Sequence, residues 1–150
     1  MKRLALVILL LMTLFSCGKG TGGDKVLTCS YEADGIKSTM KVMGEKPVKT
    51  IIFEVSEDMA DQGLSADQMN EVVAELDRNL QETLGTISGV VYEMNVKGTV
   101  LTITQEYDMS DPQALSWLEE DDFIDWSNDS LETIKEINEA QIEDMKCSIK

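Results

Sequence analysis

The densest group of side chains that could bind a ligand is the acidic stretch WLEEDDFIDWSND, residues 117–129. Carboxylate oxygens are ligands that calcium prefers in proteins. An EF-hand loop, however, needs the spacing D-x-[DN]-x-[DN]-G, whereas Phe123 stands two positions after Asp121 and the stretch has no glycine. We therefore expect a solvated acidic loop without a metal, and a calcium site is the alternative. Its candidate ligands are Glu119, Glu120, Asp121, Asp122, Asp125 and Asp129.

Aromatic and thioether side chains offer two further possibilities. Trp117 and Trp126 flank the acids, and an aromatic face beside paired carboxylates can bind a sugar and hydrolyse a glycosidic bond. The plainer interpretation, which we adopt, is that Trp117 packs beneath a short helix and Trp126 holds the loop in place. Met40 and Met43 have the spacing of some copper sites, but on a strand these two positions point to opposite faces, so we expect both to pack.

The composition narrows the function classes. The chain of 150 residues contains no histidine, which is the commonest general base and zinc ligand. Its 28 acidic residues outnumber 13 basic ones, and such a surface repels the phosphate backbone of nucleic acids. We expect no enzyme, no cofactor and no nucleic-acid partner. The alternative is an undetected hydrolase, in which a lysine or tyrosine would have to act as the base.

The N-terminus has the pattern of an export signal. A basic start, Met1 to Arg3, precedes the apolar run LALVILLLMTLF, which as a helix would measure about 18 Å and is too short for a secure membrane span. The following Leu14-Phe15-Ser16-Cys17 resembles the lipobox of bacterial lipoprotein signal peptides. The resemblance implies that residues 1–16 are removed and that Cys17 carries the lipid. The alternative is an ordinary secretory signal with a free Cys17.

A glycine-rich segment, residues 17–24, follows the predicted cleavage point and reads as a flexible tether between lipid and domain. Removal of Lys2 and Arg3 would leave 11 basic and 28 acidic residues, a net charge of 11 − 28 = −17. Lipidation of Cys17 also leaves an even pair of cysteines in an oxidising compartment, so we expect a disulfide between Cys29 and Cys147. The alternative is two buried thiols on neighbouring strands.

The remaining residues, 25–150, read as one domain that opens with strands. Alternating apolar residues on both sides of Asp34-Gly35 predict a hairpin, and PVKTIIFEVS predicts a third strand. Ser65 and Gln68 form a capping-box pattern at the start of a helix of about twenty residues that Gly85 ends. The apolar stripe that a sheet should cover comprises Met69, Val72, Val73, Leu76, Leu80 and Leu84.

The second half predicts a further hairpin and two shorter helices. Strands over residues 87–96 and 99–108 meet at a turn around Lys97-Gly98. A short helix over residues 111–119 begins at Asp111, and a last helix is capped by Asp129 or Ser130. Its buried face should comprise Leu131, Ile134, Ile137, Asn138 and Ile142, and a final strand should cover residues 144–150.

These elements give the order β-β-β-α-β-β-α-α-β. The expected fold is α+β, an antiparallel sheet of about five to six strands with one long and two shorter helices packed on one face. The lipobox, the LTCSYEADGIKSTMKV opening, the central helix and the CSIK ending together resemble the YehR-like family of small bacterial lipoproteins, whose function is unknown. The resemblance implies a lipid-anchored protein of the cell membrane or outer membrane with its domain outside the cytoplasm. We expect a binding or envelope-interaction module for a protein or small-molecule ligand, or else a cation-binding lipoprotein that uses residues 119–129.

Overall fold

A computed structural model describes residues 25–119 and 123–150. The predicted signal peptide, Cys17 and the tether lie outside the described residues, as do Glu120, Asp121 and Asp122. The strands are β1 (Val26–Ala33), β2 (Ile36–Met43), β3 (Thr50–Asp58), β4 (Val90–Lys97), β5 (Val100–Asp108) and β6 (Lys146–Ile149). The helices are α1 (Ala66–Thr83), α2 (Pro112–Glu119) and α3 (Leu131–Gln141). In the described ranges, no helix is both long enough and apolar enough to cross a membrane.

The six strands form one antiparallel sheet in the order β4-β5-β3-β2-β1-β6. The predicted α+β class and antiparallel sheet are therefore confirmed. The first hairpin turns at Asp34 and Gly35, whose φ angles of 52° and 79° are those that its two-residue loop requires. The second hairpin turns at Gly98 and Thr99, one residue later than predicted, because Lys97 pairs with Val100 and belongs to the ladder.

One face of the sheet carries the core. Successive strands contribute residues that stand opposite one another in the ladder, such as Leu27, Val42 and Ile51, and all three side chains have no exposed surface. Leu131 and Ile134 of α3 belong to the same buried cluster. Each such aliphatic side chain contributes about 1.5–3 kcal/mol when it is removed from water. The core cluster therefore joins β1, β2 and β3 to α3, which lies against β1 and β6.

The predicted disulfide is present in the structure. Cys29 of β1 stands directly opposite Cys147 of β6 in the ladder, and the two Cα atoms are 4.0 Å apart. Cys29 is fully buried within the core cluster, which Cys147 contacts from its edge. The bond consequently joins the first and last strands of the domain.

The long helix α1 begins as predicted but is less buried than predicted. Ser65 accepts a hydrogen bond from the Gln68 amide, and the Gln68 side chain accepts one from the Ser65 amide, which completes the capping box. Its apolar stripe is only half covered, and no residue of the helix is fully buried. Helix α1 lies beside β4, and an edge strand offers a neighbouring strand on one side only.

Two local features differ from the sequence-based expectation, and a third decides between two predicted residues. A 3₁₀ turn, Met59–Gln62, follows β3; Asp58 caps it by accepting the Ala60 amide, and Gly63 ends it. The last helix is capped by Ser130, one of the two residues predicted as its cap. Ile142 lies just beyond that helix with 39% of its surface exposed, because the chain has already become extended there.

Candidate functional site

An open groove of about 740 Å³ lies between α1 and the edge strand β4. Helix α1 lines one wall with Val73, Ala74 and Asp77, among others. Residues 90–94 of β4 form the other wall. An apolar cleft with a small number of polar groups is the usual form of a ligand-binding site, so we take this groove, the α1–β4 groove, as the candidate site.

Tyr92 connects the two walls of the groove. Its hydroxyl lies 3.1 Å from Oδ1 of Asp77 and 3.1 Å from Oε1 of Gln81, both on α1. Loss of surrounding water raises the pKa of Tyr92, and the hydrogen bond and negative charge of Asp77 raise it further. The phenol therefore remains protonated near neutral pH and stays a hydrogen-bond donor to α1.

Strand β4 leaves main-chain groups unpaired along the groove. In the ladder with β5, Lys97 pairs with Val100 at the hairpin. Just before β4, the Gly89 carbonyl accepts a hydrogen bond from the Asp108 amide at 2.7 Å. Because hydrogen-bonded pairs alternate along an antiparallel ladder, the N–H and C=O groups of every second residue point away from β5. These residues are Tyr92, Met94 and Val96, and no hydrogen bond within the described residues reaches their main-chain groups.

The two edges of the sheet differ in protection. Edge strand β6 has four residues, and the outward amide of Cys147 donates to the Glu139 carboxylate of α3 at 3.1 Å. Edge strand β4 has eight residues, and Val91 and Val96 expose 66% and 41% of their surface. Long apolar edges are unusual in soluble proteins because they pair with other strands.

The charge around the groove is negative. Two carboxylates, Asp77 and Glu93, line it together with apolar and neutral polar residues. Helix α1 as a whole carries five acidic residues and a single basic one, Arg78. The groove therefore favours a neutral or cationic ligand over an anionic one.

The described part of the acidic stretch is folded by its own hydrogen bonds. Asp125 accepts from the amides of Ser127 and Asn128 and from the Asn128 side chain, and these bonds, that from the side chain first, lower the pKa of Asp125. Asp129 accepts from the Asp125 amide, and Glu119 lies 3.4 Å from the Ser127 hydroxyl. No cluster of three metal-ligating side chains was found among the residues described. Asp121 and Asp122 lie outside the described residues, so the calcium alternative stays a prediction.

The two tryptophans differ in burial, and so do Met40 and Met43. Trp126 is 1% exposed and belongs to the core cluster, and its carbonyl accepts from the Val48 amide at 3.4 Å, which docks the loop as expected. Trp117 is 40% exposed and is therefore less packed than predicted. Met40 is buried on the core face, whereas Met43 lies on the opposite face of β2.

Sequence reasoning missed the groove. The segment VVYEMNV has apolar residues at positions 90, 92, 94 and 96 on one face and Val91 on the other, which is a weak signal of a strand with apolar contacts on both faces. Strand β4 lies at an edge because β3 pairs with β5 and not with β4, the strand that follows it in the sequence. No local sequence pattern indicates this long-range pairing.

The sequence matches no family model and none of the curated proteins with which it was compared. Among solved structures, the fold is similar to that of the E. coli YehR protein, determined by NMR. The two chains share 16% sequence identity, and the alignment covers 67% of this chain and 72% of YehR with a TM-score of 0.52. The likeness shows that this chain has a fold similar to that of YehR.

Proposed function

We propose that this protein is a lipid-anchored extracytoplasmic binding protein that uses the α1–β4 groove to hold a partner outside the cytoplasm. The observation that carries the binding role is the groove itself, with its apolar walls, its two carboxylates and the unpaired edge of β4. The anchoring role rests on the lipobox-like sequence that ends at Cys17. We further propose that the chain is a lipoprotein of the YehR-like type.

The disulfide supports a location outside the cytoplasm. Cytosolic reductants keep most thiols reduced, whereas exported proteins retain disulfides. The bond between Cys29 and Cys147 closes a loop that contains almost the whole domain. Of the three cysteines, only Cys17 then has a free thiol that a lipid could modify.

The arrangement of the helices supports the groove as the accessible site. We infer that all three helices pack on the core face of the sheet, as one longer and two shorter helices. Leu115 of α2 and Ile137 of α3 contact the core cluster. Helix α1 is hydrogen-bonded to Tyr92, and Tyr92 stands in the same row of the ladder as the core residue Met40. This packing would leave α1 at the end of the sheet where β4 is free.

Anchoring is tested by mass spectrometry and membrane fractionation of the full chain and of Cys17→Ser. We expect the native chain to begin at Cys17, to carry acyl chains and to sediment with membranes. The Cys17→Ser variant should lose the acyl mass, and a Thr21→Ala control in the tether should keep it. Membrane association of Cys17→Ser after cleavage, or an unmodified Cys17 in the native chain, would contradict the anchor.

Binding in the groove is tested by site-specific photocrosslinking in intact cells. A photoreactive residue replaces Ala74, which lines the groove, or Ala140, an exposed alanine on α3. We expect a discrete adduct from position 74 and none from position 140, and Ala74→Trp should displace the same partner from a crosslinker at Val91. Equal yields at positions 74 and 140, or no adduct at 74, would rule out the groove as the binding site.

A further inference from the structure

We propose that β4 accepts an added β-strand, so that the ligand of the α1–β4 groove is an extended, basic peptide segment of a partner protein. This inference rests on the proposed binding function and specifies its chemistry. Extended peptides that pair with a free sheet edge gain affinity from main-chain hydrogen bonds and specificity from alternate side chains.

The main chain of β4 is suited to this pairing. Tyr92, Met94 and Val96 present three N–H and three C=O groups along the outer edge, and no hydrogen bond in the described ranges occupies them. These groups repeat every second residue, which is the spacing at which an incoming strand places its own donors and acceptors. Strand β6 at the other edge offers fewer such groups, since Glu139 accepts the Cys147 amide there.

The side chains on both sides of β4 provide contacts for the incoming strand. A strand beside β4 would direct alternate side chains to the two faces of the sheet. Side chains on the helix side would enter the groove, where Val73 and Ala74 form an apolar wall. Those on the other side would lie beside Val91, which is 66% exposed, and beside the exposed Glu93.

Charge selects a basic occupant. Asp77 lines the groove from α1, and Glu93 lines it from β4 on the sheet face opposite to that of Tyr92, so a lysine or arginine could meet a carboxylate on either face. A second copy of this chain is a poorer occupant. Pairing of β4 with β4 would bring together two α1 helices with five acidic residues and one basic residue each, in chains of net charge −15 before processing.

The test uses the full chain in detergent and a fluorescein-labelled peptide of alternating valine and lysine, nine residues long. Fluorescence anisotropy measures its affinity, and amide hydrogen exchange locates the contact. The matched control peptide carries N-methyl groups on every residue, which removes the main-chain donors but keeps the side chains and the charge. We expect the methylated peptide to bind about tenfold more weakly or worse.

Two charge variants separate strand addition from general attraction to an acidic protein. Glu93→Lys lies on β4, and Glu32→Lys makes the same change at an exposed position of β1, far from the groove along the sheet. We expect Glu93→Lys to weaken binding about fivefold or more and Glu32→Lys to leave it within about twofold. Binding of the unmethylated peptide should slow exchange at Tyr92, Met94 and Val96.

Several outcomes would overturn the proposal. These are equal affinity of the two peptides, protection of amides elsewhere than β4, or equal effects of the two charge variants. Protection of the β4 amides without peptide, together with a dimer in sedimentation, would assign the edge to a second copy instead. If crosslinking at Ala74 succeeds while these tests fail, the groove binds a partner by another mode; if both fail, the binding function itself is wrong.

Discussion

The disulfide between Cys29 and Cys147 closes a loop that contains nearly the whole domain, since the two cysteines are 118 positions apart in the sequence. In the chain-entropy model, a loop of that length lowers the entropy of the unfolded chain by an amount worth about 5 kcal/mol at 25 °C. Reduction should therefore lower the free energy of unfolding by about that amount. Because domains of this size have total stabilities of about 5–15 kcal/mol, the reduced chain would lose between a third and all of its stability.

The assay is urea denaturation and thermal unfolding of the same chain with and without a phosphine reductant. A domain of about 125 residues has an unfolding entropy near 0.26 kcal/mol/K, so a loss of about 5 kcal/mol lowers Tm by about 15–20 °C. The m-value should rise on reduction, because the unfolded chain without the crosslink exposes more surface.

A double variant, Cys29→Ala with Cys147→Ala, is the control for the reductant. It should unfold near the reduced chain and should not respond to the phosphine. A reduced chain that loses less than about 1 kcal/mol, with Tm within about 4 °C of the oxidised chain, would show that the crosslink does not restrain the unfolded state as reasoned.

Three further predictions follow from caps, core and titration. Ser65→Ala removes the capping-box acceptor of α1 and should cost about 1 kcal/mol in urea denaturation, without change of fold by circular dichroism. Trp126→Ala should cost about 3–5 kcal/mol because the side chain is 1% exposed, whereas Trp117→Ala, at 40% exposure, should cost clearly less in the same assay. Hydrogen bonds, first from a hydroxyl side chain and then from backbone amides, lower the pKa of Asp58 and Asp111. The stability that these two carboxylates contribute is therefore complete above about pH 4 and is lost as the pH falls further. Between about pH 5 and 2.5, Tm should fall less steeply in the double variant Asp58→Asn with Asp111→Asn than in the native chain, and equal slopes would refute this.

Local chemistry made most elements predictable. Asp34-Gly35 supplied two residues that tolerate positive φ, and Ser65 with Gln68 supplied reciprocal hydrogen bonds, so each element begins or turns where its own sequence requires. The pairing of Cys29 with Cys147 was also predictable, because the expected export and the expected lipidation of Cys17 left one combination.

Long-range pairing was not predictable in the same way. The stripe of α1 indicated a helix that a sheet covers, but only the β3–β5 ladder decides that this helix lies beside an edge strand and stays half exposed. The acidic stretch is the most conspicuous candidate site in the sequence because its carboxylates are close together. In the structure, Asp125 and Asp129 accept backbone amides, whereas the candidate groove is built mainly of ordinary apolar residues.

The unequal edges of the sheet set a limit on assembly. A filament needs two mutually compatible edges on every subunit, so that each copy can bind one neighbour and offer a surface to the next. Here β6 is short, and its Cys147 amide already donates a hydrogen bond to Glu139, whereas β4 is long and its outer edge is unpaired. Strand addition at β4 would therefore stop after one event, with a stoichiometry of one segment per chain, and the protein could expose an apolar strand edge without polymerising through it.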